Sequence, residues 1–426
     1  MARKHLQEPA SPQIRVLDLF SGAGGFAAGF HAYTTADGER PFVTAAAVEF
    51  DKAAASTYAA NFPEAHVHAG DIADFDPEEY KGKIDVIVGG PPCQGFSGLG
   101  KEDPDDPRNE LWRQYMRIVT ALKPKLFVIE NVDRFFRSQQ FEDLKAAVRE
   151  GELVDYEIRP AMLNAADYGV PQARRRAIVI ATLEKLGDPL EHPGPSHDKR
   201  ASTGVDEGAD AALFPVDGGN RRPWVPVSTV FEETAKQKLL PQMPAPRVGT
   251  PLVSGVPGPY VTTDLHFGRN PEDLSRARYQ AIPPEGNRND LRGKWFRVVG
   301  GKIRVLTTEQ YERLGEKERD EARYLSTTSW DNHNKGSGDV MGRLRAGEPS
   351  VTIRTEFYKP EKGRYLHPTD DRPITHYEAA RIQGFPEDFT WYGTKIQIAR
   401  QIGNAVPVGL GKALAAAIHA YLTGRS

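Results

Sequence analysis

The chain is 426 residues long, enough at roughly 150 residues per domain for two or three domains with a substantial core. Its 27% charged and 39% hydrophobic residues are near globular values and exclude a wholly disordered chain. Net charge is -3, from 55 Lys+Arg against 58 Asp+Glu, which argues against indiscriminate coating of polyanions; a nucleic-acid partner would need a local basic surface.

Up to about residue 185, short β-branched runs alternate with longer amphipathic ones, the pattern of parallel strands joined by crossover helices. Strands are expected at Ile14-Phe20, Val43-Glu49, His66-Ala69, Ile84-Val88, Leu126-Ile129 and Ala177-Ala181, and helices at Lys52-Asn61, Leu111-Leu122 and Phe141-Glu150. Between Gly187 and Arg292 fifteen prolines, many near glycines, predict turns and irregular backbone. A disordered linker and a loop-rich second domain both fit that composition. Trp224, Phe231, Tyr260, Phe267, Tyr279, Trp295 and Phe296 favour the domain, since a linker does not need aromatic anchors. Ser196-Ala212, polar and small, reads as a mobile loop within it. Helical spacing returns at HYEAARIQGF after Thr375 and in VGLGKALAAAIHAYL after Pro407, and this last helix is expected to pack on the first domain. There is no repeat at solenoid periods.

No apolar run reaches the roughly 18 residues of a membrane span, and MARKHLQEPASPQ lacks the apolar core of a secretory signal, so a soluble, cytoplasmic chain is expected. The single cysteine, Cys93, excludes an intrachain disulfide and a cysteine-rich zinc site; no metal is expected.

Four constellations carry chemistry. The strand at Ile14-Phe20 runs into Ser21-Gly22-Ala23-Gly24-Gly25 and then a helix, which lets a ligand approach the backbone. The next strand ends in Val48-Glu49-Phe50, where a carboxylate can hold ribose hydroxyls, so the pair suggests an adenosyl cofactor. Asp71, after the third strand, falls on the same sheet edge, although alone it would be a helix cap. Second, Gly89-Gly90-Pro91-Pro92-Cys93-Gln94-Gly95-Phe96-Ser97 presents the sole thiol on a stiff turn; most lone cysteines are small buried hydrophobes, but such a turn argues against burial. Third, Glu130-Asn131-Val132 puts a carboxylate at the edge that carries Cys93, with a capping acid as the ordinary alternative. Fourth, in Gln172-Ala173-Arg174-Arg175-Arg176 alternate residues share a face, and three successive arginines ordinarily mean a solvated or phosphate-facing stretch.

Taken in chain order, these stretches resemble the bacterial cytosine-C5 DNA methyltransferase family: DLFSGAGGF at Asp18-Phe26, Glu49, GDI at Gly70-Ile72, GPPCQGFS at Gly90-Ser97, ENV at Glu130-Val132, QARRR at Gln172-Arg176, EAARIQGFP at Glu378-Pro386 and QIGNAVP at Gln401-Pro407. The resemblance implies an α/β fold, a Rossmann-like S-adenosylmethionine-dependent methyltransferase sheet with helices on both faces, plus a smaller loop-rich target-recognition domain. Its expected limits are 1-186 for the catalytic domain, 187-372 for target recognition and 373-426 for a C-terminal segment returning to the catalytic domain. It implies methyl transfer from S-adenosylmethionine to C5 of a flipped-out cytosine in double-stranded DNA, with S-adenosylhomocysteine as product.

By the same resemblance Cys93 matches the nucleophile that adds to C6, Glu130 the acid at N3, and Arg174 and Arg176 the positions that hold the base, one of them at O2. Phe20, Ala23, Gly24, Glu49, Phe50, Asp71, Ile72, Pro92, Leu111 and Asn404 would line the cofactor pocket. Gln94, Ser97 and Thr352 would touch the substrate, and Phe96 to about Asn109 would be the loop that closes over the base. Leu99 and the bulk of the middle region depart from the small bacterial members. Arg288, Arg292, Lys294, Arg297, Lys302 and Arg304 against the single acid Asp290 suggest a phosphate-contacting strip, with a solvated face as the alternative. The resemblance also implies a monomer, nucleoid association, and either a paired restriction endonuclease or an epigenetic-marking role. Three rivals are weaker. A transfer-RNA enzyme of the same branch would carry a Cys-Phe-Thr tripeptide, absent here; a non-catalytic binding protein would not need Cys93, Glu130, Arg174, Arg176 and Glu49; a nicotinamide oxidoreductase leaves Pro-Pro-Cys and Glu-Asn-Val unused.

Overall fold

The computed structural model describes residues 13–92, 107–199, 221–332 and 338–424. In IRVLDL every position but Arg15 is buried and in LFVIEN all six are, as in strands covered on both faces. They form β1 (Ile14–Leu19), β2 (Phe42–Glu49), β3 (His66–Ala69), β4 (Val86–Gly89) and β5 (Leu126–Asn131), mutually parallel. Between them lie α1 (Gly25–His31), α2 (Lys52–Asn61) and α3 (Pro107–Leu122), followed by α4 (Gln139–Glu150) after β5.

The parallel pattern expected from the sequence holds for β1 to β5 and stops there. β6 (Tyr156–Asn164) and β8 (Arg175–Leu183), separated by the short β7 (Gln172–Ala173), complete a seven-stranded sheet in the order β3-β2-β1-β4-β5-β8-β6, and β8 runs antiparallel to both neighbours. The sequence reading missed β6 because it is an edge strand. Its side chains are mostly half-buried, and it tolerates Pro160, which cannot donate to a ladder. The reversal matters for function: it brings the beginning of β8, not its end, to the edge where β2 to β5 finish.

Alternating residues split between two layers. Val16, Val88, Val128 and Ile180 face α1 and the C-terminal α9 (Val408–Thr423), while Leu17, Ile87, Phe127 and Val179 face α3 and α4. α9 meets α1 at backbone distance, because a Cβ on Gly29 would stand 2.6 Å from the Gly411 backbone. No single helix among the described residues is long and apolar enough to cross a membrane.

The middle of the chain divides its apolar residues between two cores. Val230 and Phe231 of α5 (Ser228–Thr234), with Tyr260 and Phe267, join Tyr58 and Phe62 of α2 and residues of α7 (His376–Ile382) and α8 (Lys395–Asn404). A separate core gathers Tyr279 of α6 (Asp273–Ala281), Phe296 of β9 (Lys294–Val299), and Leu291, Leu325, Met341 and Leu366, with the partly buried Val305 of β10 (Lys302–Thr307) packed against it. The predicted loop Ser196-Ala212 falls largely outside the described residues.

Candidate active site

At the carboxyl edge of β1 and β2 the backbone turns sharply. Phe20 sits at φ +54, a left-handed value uncommon for a residue with a side chain, and Gly22 and Gly24 follow at +56 and +90. Gly24 has no freedom to carry a side chain: a Cβ there would lie 2.5 Å from the Phe62 ring, whereas above Gly22 the space is open. Glu49 fastens this turn. Its Oε2 accepts from the Gly22 N–H at 2.7 Å and its Oε1 from the Asp51 N–H at 2.8 Å. Burial pushes the Glu49 carboxyl up, against those hydrogen bonds. Beside it Phe50 is 75% exposed, an apolar ring standing in solvent at the carboxyl edge of the sheet.

The neighbouring wall is built from three further segments. The Gly70 N–H donates to the Glu49 carbonyl at 3.1 Å, which sets Asp71 and Ile72 next to the Glu49-Phe50 turn. Asp71 is exposed and caps the short 3-10 turn at Ile72–Asp74, accepting from the Ala73 N–H, so the capping alternative holds for one of its oxygens. Leu111 of α3 and Phe20 are both partly buried against the core beneath. Asn404 arrives exposed at the end of α8, and the following Ala405-Val406 backbone presses on α1, where a Cβ on Gly25 would meet the Val406 carbonyl oxygen at 2.5 Å. Ala23 is buried and Pro92 exposed at the described end of the stem that leads to the thiol.

A second cluster lies at the ends of β4 and β5. Glu130 and Asn131 are inside β5 rather than after it, both buried. Because β8 is reversed, Arg176 lies beside Glu130, with its Nε 2.7 Å from Glu130 Oε1. Gly90 lies against the same carboxylate, since a Cβ there would be 3.2 Å from Glu130 Oε2, and the Asn131 amide donates to the Pro91 carbonyl at 3.0 Å. The stem of the Pro-Pro-Cys turn is thereby fixed to the strand that carries Glu130. Cys93, Gln94, Ser97 and Leu99 lie outside the described residues, as does most of the Phe96-Asn109 loop.

The arginine triplet is not the solvated stretch its composition suggests. Arg174 is 3% exposed and donates from Nη1 to the Ile353 carbonyl at 3.0 Å, while its buried Nε has no partner among the described residues. Burial, helped by the like charge of Arg176, pulls it down to about 9. Only Arg175 faces solvent. The short strand β11 (Ser350–Val351) pairs in parallel with β7, which sets Thr352 beside Ala173, its hydroxyl donating to the Ala173 carbonyl at 3.3 Å.

Two buried glutamines that the sequence reading left without a role hold these pieces together. Gln172 accepts from the Ile353 N–H and donates to Gln383 Oε1 at 2.7 Å, and Gln383 donates to the Ile402 carbonyl at 2.6 Å. The relay joins the arginine triplet, the Thr352 segment and the helix that ends in Asn404. Asp18, a further omission, is fully buried below the glycine turn, where it accepts from the Tyr58 hydroxyl at 3.1 Å. All three stand within the quoted motif strings, QARRR, EAARIQGFP and DLFSGAGGF, but the strings do not say which partner each one takes.

The six basic residues of the suggested strip differ in their surroundings. Arg297 is paired with Glu318 and Glu321, Lys294 donates to the Ala281 carbonyl, Arg292 to the Trp330 carbonyl, and Arg288 is buried; only Lys302 and Arg304 are exposed without such a bond among the described residues. Arg297 lies opposite Arg304 in the β9–β10 register and Lys302 is two residues from Arg304, so these three share one face of the hairpin, while Lys294, three residues from Arg297, belongs to the other.

Comparison with known proteins bears on both clusters. The family profile of the C-5 cytosine-specific DNA methylases matches residues 14–211 and 286–420. The type II methyltransferase M.AgeI of Thalassovita gelatinovora is 29% identical over 95% of this chain and 99% of its own length. M.XorII of Xanthomonas oryzae pv. oryzae, also a type II methyltransferase, is 31% identical over 93% of this chain and 82% of its own. Among solved structures, a prophage-encoded E. coli protein described as a DNA modification methyltransferase superposes with a TM-score of 0.57 at 23% identity, covering 96% of this chain and all of that one, a likeness of fold. With the sheet order, the glycine turn at its edge and a profile match running through both clusters, the chain belongs to the C-5 cytosine-specific DNA methylases, enzymes that methylate cytosine at C5 in DNA.

Proposed function

We propose that the Glu49 end of the cleft holds S-adenosylmethionine and the Glu130 end holds a flipped cytosine. The cofactor fits what is present. The open space above Gly22 admits a ligand to the backbone, Glu49 keeps unused lone pairs for ribose hydroxyls, and the exposed Phe50 ring offers a stacking surface for a base. Asp71 and Ile72 would meet the adenine, Phe20, Ala23 and Gly24 the amino-acid moiety, and Pro92, Leu111 and Asn404 the remaining wall. Bound there, S-adenosylmethionine supplies an electrophilic methyl group.

C5 of cytosine is a weak nucleophile, so the chain must activate it. The Cys93 thiolate adds to C6, and the electron pair that leaves the 5,6 double bond becomes available at C5. Glu130 hydrogen-bonds N3 and shares a proton with it, while the Arg176 guanidinium steadies that carboxylate. Arg176, less deeply buried than Arg174, has donors left to meet O2, while Arg174 holds the Ile353 carbonyl and with it the Thr352 segment. After methylation, loss of the C5 proton and expulsion of Cys93 restore the aromatic ring. Gln94, Ser97 and Thr352 would contact the flipped nucleotide, whose extrusion costs a few kcal/mol.

The observation that carries this reading is the buried Glu130–Arg176 pair packed against the Gly90-Pro91 stem of the sole cysteine. A catalytic unit at 1-186 and 373-426, a target-recognition unit within 187-372, monomeric action in the cytoplasm at the nucleoid, and a restriction-modification or epigenetic-marking role complete it. Methylation-sensitive sequencing of DNA from cells expressing the chain should reveal 5-methylcytosine in one sequence context, lost in Glu130→Gln. Unmethylated genomic DNA, or methylation confined to RNA, would contradict the assignment.

A further inference from the structure

Arg354 stands where the two halves of the site meet. Its backbone is fixed from every side. Two residues earlier, Thr352 rests on Ala173; the intervening Ile353 is clasped by Gln172 at its N–H and by Arg174 at its carbonyl. The Tyr365 hydroxyl donates to the Thr352 carbonyl at 3.0 Å, and the Arg354 charge acts on that same phenol. On the other flank Gly403, the residue before Asn404, lies so close that a Cβ would fall 2.5 Å from the Arg354 carbonyl carbon and 2.4 Å from the Thr355 nitrogen. The side chain, by contrast, is exposed, and among the described residues it makes no hydrogen bond or ion pair. Most other arginines of this neighbourhood are committed: Arg174 to Ile353, Arg176 to Glu130, Arg364 to Asp339 and several carbonyls.

A long cation left unpaired on a rigid mount, at the rim of a cleft that takes a polyanion, has little structural use. From this placement we propose that Arg354 binds a backbone phosphate flanking the flipped cytosine, and so holds the extruded nucleotide over the Glu130–Arg176 pair. The inference rests on the reading of that pair as the base pocket. A planar guanidinium presents paired donors to two phosphate oxygens, which suits this task. The contact positions the strand and carries no sequence information.

The test is a salt series with the full-length protein and a duplex carrying the methylated site. Each neutralised phosphate contributes about 0.9 to the slope of log affinity against log salt. Arg354→Gln should therefore lower that slope by about 1, so that between 50 and 200 mM salt the wild type loses roughly three- to fourfold more affinity than the variant. KM for DNA should rise while KM for S-adenosylmethionine stays within twofold, and Arg354→Lys should restore the slope. A neutral methylphosphonate at the phosphate beside the target cytosine should weaken the wild type and leave Arg354→Gln unaffected. An unchanged slope, a rise confined to the cofactor KM, or equal weakening of both proteins by the methylphosphonate would overturn the proposal. The binding slope needs no turnover, so failure of the pocket reading would show separately, as normal turnover in Glu130→Gln.

Discussion

Asp18 makes a sharp prediction because its energetics follow from its position. The carboxyl is fully buried beneath the glycine turn, with Tyr58 as its hydrogen-bond donor. Burial pushes it up to about 8, the Tyr58 bond acts in the opposite direction, and the nearby Glu49 charge raises it further. In the unfolded chain an aspartate titrates near 3.9. The folded protein therefore keeps a proton that the unfolded chain releases between about pH 4 and pH 8, and stability declines across that window by roughly 1.4 kcal/mol per pH unit. The stabilisation is complete below pH 4 and gone above pH 8. From pH 5 to pH 8 the loss comes to about 4 kcal/mol. Asn at this position keeps an oxygen for Tyr58 and does not titrate. Urea denaturation of wild type and Asp18→Asn at pH 5, 6.5 and 8 isolates the effect, because all other titrating groups cancel in the difference. The variant should gain on the wild type by about 4 kcal/mol over that range. Parallel stability curves, or a wild type that gains on the variant as pH rises, would refute a neutral carboxyl under the glycine turn.

Glu130→Gln should cut turnover by about 10²- to 10⁴-fold in single-turnover assays while S-adenosylhomocysteine binds with near wild-type affinity by calorimetry. Gly25→Ala places a methyl group 2.5 Å from the Val406 carbonyl oxygen, an overpacking cost of about 1 to 3 kcal/mol that outweighs the helix preference for alanine; a lowered denaturation midpoint with a raised cofactor KM is expected as Asn404 is displaced. Glu378 is buried with two hydrogen bonds from Arg372; burial alone would raise its carboxyl, but that pair holds it below the usual glutamate range. Its contribution is present above the ordinary glutamate pKa and lost as pH falls through the lowered value, and Glu378→Ala should cost about 3 to 5 kcal/mol near neutral pH in a denaturant titration.

The parallel half of the sheet was legible because doubly covered strands are continuous apolar runs, and β3 and α2 fall where the sequence places them. The β6–β8 reversal was not, since an edge strand with half-buried residues and a proline lacks that signature. That one omission hid why Arg176 reaches Glu130. Glu49 fastens the Gly22 turn and the Ala405-Val406 backbone presses on Gly25, but the Gln172–Gln383 bond and the Asp18–Tyr58 support join residues 211 and 40 positions apart along the chain, pairings that no local pattern encodes. Charge patterning was a partial guide: of the arginine triplet only Arg175 is exposed while Arg174 is buried, and in the basic strip Arg297 is paired with Glu318 and Glu321 while Lys302 and Arg304 remain exposed.

The proposed methyl transfer turns on a transient bond between the Cys93 sulfur and C6 of the target base. Incubating the protein with S-adenosylmethionine and a duplex that carries 5-fluorocytosine at the methylated position blocks loss of the C5 substituent. A protein–DNA band that survives boiling in detergent should accumulate, and Cys93→Ala should form none while still binding the duplex. Full methylation activity in Cys93→Ala, or no such band from wild type on its own methylation site, would contradict the mechanism.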